Sequence, residues 1–252
     1  MHLELNLRSS ELNKNTGVNI IIPNKFKEDG ESYKTVWLLH GLKGDHTSWM
    51  RSTSIERYAS AYNVAVVMPE VDRSWYTNTA YGINYFNYVS EELPSLCRKL
   101  FNGMSDKRED NIVAGLSMGG YGALKLALTY PERYCSCISL SGALDITRKG
   151  RPCNLNEWRS IFNFNMESPL ELEGTKHDIF ALASNNKAEG RPFPNIYMWC
   201  GLEDPLLLTN QNFDRLLSEL GVEHRFDTSE GDHSWKWWDL HIQDGLRYIF
   251  DK

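Results

Sequence analysis

Three separated segments hold the residue types that acyl transfer requires. Gly115-Leu116-Ser117-Met118-Gly119 has G-x-S-x-G spacing, follows the apolar run NIVAG (111–115), and leads into the small-residue stretch GGYGALKLAL. That context predicts a strand, a sharp turn and a helix, with a serine hydroxyl presented at the strand end. The two glycines are a steric need, because neighbouring backbone runs where their side chains would stand. A serine hydroxyl is a weak nucleophile until an imidazole removes its proton and an acid holds that imidazole in the accepting tautomer. In this architecture the order along the chain is serine, acid, histidine.

The downstream histidines are His177, His224, His233 and His241. His233, in SEGDHSWKWWD, falls in a loop between the expected strand HRFDTS and the last helix, where a base can reach over the strand ends. His224 opens that strand and His241 lies within the helix, so both are expected to be structural. Asp204, in WCGLEDPLL, follows an apolar run and lies 204 − 117 = 87 residues after the serine and 233 − 204 = 29 before the histidine. A strand end is where such sheets gather ligands. Asp145 follows the preceding strand and is the rival acid; Glu203 and Asp232 are less well placed. The oxyanion donors of this architecture are the N–H after the nucleophile and one from the loop after the third strand. Here these are Met118 and, in LLHGLKGDHTSW, Leu42, with His40 and Gly41 shaping the turn.

The elements that must carry these groups follow from the hydrophobic pattern. LELNL (3–7) and VNIIIP (18–23) read as an opening hairpin around Asn13 to Thr16. TVWLLHG, VAVVMP, NIVAG, CSCISLSG and NIYMWCG are short apolar runs of the kind buried on both faces of a parallel sheet. Between them lie helical stretches at 83–101, 118–130, 208–220 and 236–250, the first with Tyr85, Val89, Leu93, Leu96 and Leu100 on one stripe and a kink expected at Pro94. Gly221 is a C-terminal cap for the helix before it. Alternating strands and helices predict an α/β fold, a mostly parallel central sheet with helices on both faces. Residues 1–252 read as one domain, with a polar, strand-poor stretch at 145–193 expected as a cap-like insertion.

Composition narrows the function classes. With 252 residues the chain is long enough for a core without staples. A balance of 27 basic and 33 acidic residues, net charge -6, argues against a nucleic-acid or anionic-membrane partner. No apolar run is long enough to span a bilayer, and the N-terminus MHLELNLRSS lacks a leader's apolar region. Cys97, Cys135, Cys137, Cys153 and Cys200 are scattered and odd in number, which suits reduced thiols and a cytoplasmic location. No HExxH or zinc-finger spacing occurs, so neither metal nor cofactor is expected.

Taken together, HGLKGDHTSW, GLSMGGYGA, CGLEDPLL and GDHSWKWWD resemble the bacterial tributyrin esterase group of the esterase D superfamily, relatives of feruloyl esterases, S-formylglutathione hydrolases and mycolyltransferases. The resemblance covers nearly the whole chain and includes PEVDRSWYTNTAYGINYFNYVSEELP (69–94). It implies an α/β-hydrolase fold, Ser117, Asp204 and His233 as triad, and Leu42 and Met118 as oxyanion donors. The function expected is that of a serine carboxylesterase acting on a small-molecule ester of short-chain or hydroxycinnamoyl type, as a monomer or homo-oligomer. An S-formylglutathione hydrolase-like thioesterase and a non-catalytic binding module are the alternatives. Aromatic density after the fourth strand and after His233 makes Trp75 and Trp235 the expected walls of a short acyl pocket.

Overall fold

In the computed structural model, which describes residues 1–23, 32–147 and 154–251, eight strands form one sheet. They are β1 (His2–Ser9), β2 (Lys14–Ile21), β3 (Thr35–Leu39), β4 (Ala65–Pro69), β5 (Asn111–Leu116), β6 (Ser136–Leu140), β7 (Asn195–Gly201) and β8 (His224–Ser229). Their spatial order is β1-β2-β4-β3-β5-β6-β7-β8. The β1/β2 and β2/β4 pairs are antiparallel and every later pair is parallel. Strand order reverses beside β3 and β5, and that crevice is where an open α/β sheet binds its ligand. The hairpin is tighter than its apolar runs imply: Ser9 pairs with Lys14, and Asn13 takes φ 51° in the turn.

The helices are α1 (Ser48–Ser52), α2 (Ile55–Tyr62), α3 (Tyr85–Asn87), α4 (Leu93–Leu100), α5 (Met118–Thr129), α6 (Leu155–Ile161), α7 (Ile179–Ala188), α8 (Leu207–Glu219) and α9 (Trp235–Phe250). Period-2 alternation divides the core across the sheet. On β5, Val113 packs with Leu124 and Ala127 of α5 on one face, and Ile112, Ala114 and Leu116 pack with α2 and α9 on the other. Because both faces are covered, the central strands show no polar alternation.

The expected helix at 83–101 is broken differently from a simple kink. One π turn, Tyr88–Glu92, joins α3 to α4 just before Pro94. Proline has no N–H to give the Ser90 carbonyl and its ring crowds that oxygen, which accepts instead from Arg133 Nη1 at 3.3 Å. Tyr85, Val89 and Leu93 stay buried, whereas Leu100, the last residue of α4, is 53% exposed.

Residues 154–193 hold α6, a 3₁₀ turn at Pro169–Leu172, and α7. α7 packs on α5 and α8 at the flank of the sheet. α6 sets Trp158 edge-on against Trp75 at 5.0 Å. Residues 148–153, and Cys153 with them, lie outside the described residues; Cys97, Cys135, Cys137 and Cys200 are free thiols.

Candidate functional site

Ser117 occupies the turn between β5 and α5 with φ 53° and ψ −118°, a region that a non-glycine residue enters only when its surroundings hold it there. They do: its N–H donates to the Leu140 carbonyl at 2.9 Å, and its own carbonyl accepts from Tyr121 and Ala143 N–H at 3.1 and 3.0 Å. The glycine spacing has the expected cause. A Cβ at Gly115 would overlap the Gly119 carbonyl, and one at Gly119 would overlap the Leu39 carbonyl.

His233 stands in the loop between β8 and α9, 116 residues from Ser117 in sequence, with Nε2 3.0 Å from the serine Oγ. Its Nδ1 lies 2.8 Å from Asp204 Oδ2, and the Asp204 side chain is fully buried. Burial by itself pushes the Asp204 carboxyl up. Hydrogen bonds from His233 and the Leu206 N–H, the latter at 2.8 Å, and the attraction of His233 carry it net below the usual carboxylate range. An ionised Asp204 accepts only, so Nδ1 bears the proton and Nε2 is left to accept from Ser117. The arrangement can move one proton from serine to imidazole.

The other candidates are engaged elsewhere. Asp145 accepts from Thr147 N–H and hydroxyl within its own turn. His224 is paired with Asp214 and the Val222 carbonyl, and His241 with Asp244 while stacked on Trp199. Glu203 has a part that its sequence position did not signal. Its carboxylate accepts from Gly231 N–H at 2.5 Å and its own N–H donates to the Gly231 carbonyl at 3.0 Å, so it staples the acid's loop to the histidine's loop.

Met118 is the first residue of α5, where an N–H has no acceptor within its own helix and sits at the positive end of the helix dipole. Leu42 follows β3 on the facing loop. Both Leu42 and Ser117 line a cavity of about 410 Å³, together with Lys43, Arg51, Trp235 and Trp238. Trp235 lines this cavity, edge-on to Trp49 and Trp238. Trp75 does not. It is 3% exposed, packed on Tyr121 and Trp158, and absent from the cavity wall, because its left-handed φ of 52° turns the ring inward onto α5 and α6. Trp238, which sets its ring edge-on to His233 at 4.8 Å and donates to Ser141 Oγ at 3.0 Å, takes the supporting place instead.

The putative esterase family model matches residues 9–249. The chain belongs to that family. Within it, the chain is 33% identical to an acetyl esterase of Caldicellulosiruptor saccharolyticus over 98% of its own length and 97% of the relative's. Among solved structures it is similar to FphF, a fluorophosphonate-binding serine hydrolase of Staphylococcus aureus, at TM-score 0.92 and 34% identity, covering 100% and 99% of the two chains. It is also similar to the S-formylglutathione hydrolase FrmB of Staphylococcus aureus, at TM-score 0.88 and 34% identity, covering 99% and 98%. The fold is the α/β-hydrolase fold, and the family makes this chain a hydrolase. Among the described residues no helix is long and apolar enough to cross a membrane.

Proposed function

We propose that the protein is a serine carboxylesterase that cleaves short-chain or small aromatic acyl esters through an acyl-enzyme. The observation that carries this is the unbroken line of hydrogen bonds from Asp204 through His233 to Ser117, at 2.8 and 3.0 Å. Ser117 Oγ attacks the ester carbonyl while His233 Nε2 takes its proton. The carbonyl oxygen becomes an oxyanion facing the N–H groups of Leu42 and Met118. Collapse breaks the bond to the alcohol oxygen, which leaves with the proton from His233. Water then attacks the acyl-enzyme by the same steps in reverse roles and frees Ser117. Asp204, kept ionised, stabilises the imidazolium. The free thiols of Cys97, Cys135, Cys137 and Cys200, the four cysteines among the described residues, support action in a reducing compartment such as the cytoplasm.

A second reading, a thioesterase of the S-formylglutathione hydrolase type, draws support from charge. Among the described residues, Lys43 and Arg51 line the cavity and no acidic side chain does, so an anionic leaving group would be attracted in a chain of net charge -6. Comparing kcat/KM for p-nitrophenyl acetate, methyl ferulate and S-formylglutathione separates the two. Ser117→Ala tests both, with an expected fall in kcat on the order of 10⁶ in a protein of unchanged circular dichroism. Survival of more than a few per cent of wild-type activity would remove Ser117 from the reaction.

A further inference from the structure

Lys125 is buried in the protein with no carboxylate beside it among the described residues. It lies on α5, two turns beyond Ser117, and is 3% exposed. Its Nζ donates to the Tyr76 carbonyl at 3.0 Å and to Thr77 Oγ1 at 2.6 Å, and stands 3.3 Å from His177 Nδ1. The Thr77 hydroxyl spends its own proton on the Trp75 carbonyl at 3.0 Å. Above and beside the amine are the rings of Phe86 and Tyr121, at 5.2 and 5.5 Å. Burial drives the Lys125 amine well below its ordinary range. A methionine would fill the same space without desolvating an amine, so packing alone gives no reason for a lysine here.

What the amine holds is a strained length of backbone. Trp75 and Tyr76 are consecutive bulky residues with φ of 52° and 49°, a conformation that persists only where contacts enforce it. The Tyr76 ring lies flat on α5 at Gly122, where any Cβ would overlap it, and its hydroxyl donates to the His40 carbonyl at 2.8 Å. His40 is pinned at both ring nitrogens. Val71 N–H donates to Nε2 at 3.1 Å, so Nδ1 carries the proton and donates to the Gly41 carbonyl at 2.8 Å. The Gly41 carbonyl and the Leu42 N–H are two ends of one planar peptide, so a bond that fixes one fixes the direction of the other.

We propose that Lys125 is a positioning residue for the oxyanion site, acting through Tyr76 and His40 to aim the Leu42 N–H. The inference rests on the oxyanion role proposed for Leu42. Lys125 touches no substrate; it locks the 75–77 bend, the bend sets the Tyr76 hydroxyl, and the hydroxyl holds the strand end from which His40 orients the peptide. A donor displaced by a fraction of an ångström loses most where charge develops, in the transition state, and little in the ground state.

The test uses the full chain with Tyr76→Phe and Lys125→Met, measured on p-nitrophenyl butyrate and with a trifluoromethyl ketone of matching acyl length as the oxyanion-forming inhibitor. Each variant is expected to lose about 10- to 100-fold in kcat with KM within about threefold, and to bind the ketone more weakly by the factor lost in kcat/KM. The double variant is expected to fall no more than about threefold below the worse single one, since both act on the same peptide. A folded Tyr76→Phe protein with kcat within about threefold of wild type, or with unaltered ketone affinity, overturns the proposal, and it decides the matter even if Lys125→Met fails to fold. Those results would leave activity dependent on Ser117; loss of that dependence is the separate result that would overturn the esterase reading.

Discussion

Replacing Asp204 with asparagine puts the proton logic of the site to a direct test. The two carboxylate oxygens serve different donors: Oδ1 accepts from Leu206 N–H and Oδ2 from His233 Nδ1–H, each at 2.8 Å. Asparagine has one acceptor for these two demands. With its oxygen kept toward Leu206, its NH₂ faces His233 Nδ1, which must then accept. The ring proton moves to Nε2 and points at Ser117 Oγ, so the imidazole can no longer take the serine proton. With the amide turned over, donor faces donor at Leu206, and a buried N–H is left unpaired at a cost of about 1–3 kcal/mol. The first orientation disables the base, and the second keeps the tautomer but strands the Leu206 N–H and removes the charge that stabilises the imidazolium; with the first one favoured, the expected loss in kcat is about 10⁴, or roughly 5 kcal/mol of barrier, with KM little changed. Steady-state hydrolysis of p-nitrophenyl acetate at neutral pH measures it, beside Asp145→Asn, whose native carboxylate accepts from Thr147 within its own turn. Asp145→Asn should retain near-normal turnover. The reasoning fails if Asp204→Asn keeps more than about a tenth of wild-type kcat, or if the two variants rank the other way.

Acyl-chain length probes the cavity wall: with about 410 Å³ available, kcat/KM for p-nitrophenyl esters should rise roughly fourfold per methylene and then drop beyond about six to eight carbons. Trp235→Ala should extend that limit, whereas Trp75→Ala should leave it alone and lower stability by about 3–5 kcal/mol by opening a hole beside Trp158; efficient hydrolysis of palmitoyl esters by the unmodified protein would contradict this. Acid stability should depend on His177, which burial and the nearby Lys125 and Lys176 hold down at about 2. The unfolded chain binds that proton near pH 6.5 and the fold refuses it, so the contribution is intact above that pH and about 2 kcal/mol is lost between pH 6.5 and 4.5. Thermal melts of His177→Gln should be flatter across that window, and parallel curves would count against it.

Much of this protein is legible locally. The strand, turn and helix around Ser117 are dictated by consecutive residues, because close backbone approach at Gly115 and Gly119 is a property of that segment alone. The same holds for the strand cores and for Gly221, whose φ of 62° closes α8's end as its position implied. Asp204 and His233 were identifiable as strand-end residues because this architecture gathers its ligands at one sheet edge.

What the sequence did not carry depends on where separate segments meet. Trp75, in a loop, and Trp235, at the first turn of α9, are both tryptophans near strand ends, yet Trp235 faces the cavity and Trp75 the interior. The difference is a left-handed bend stabilised by a lysine about 50 residues away, 49 by number for the Tyr76 contact. Leu100 shares a helix face with buried Leu93 yet is exposed at the last residue of α4, because its own segment does not show where the covering elements stop. The staple of Glu203 to Gly231, the support of Trp238 by Ser141, and the cations Lys43 and Arg51 at the cavity have no local signature. Periodicity and turn chemistry are set within a few residues, so a sequence displays them; hydrogen bonds and cavity walls between segments exist only once the sheet order has brought those segments side by side.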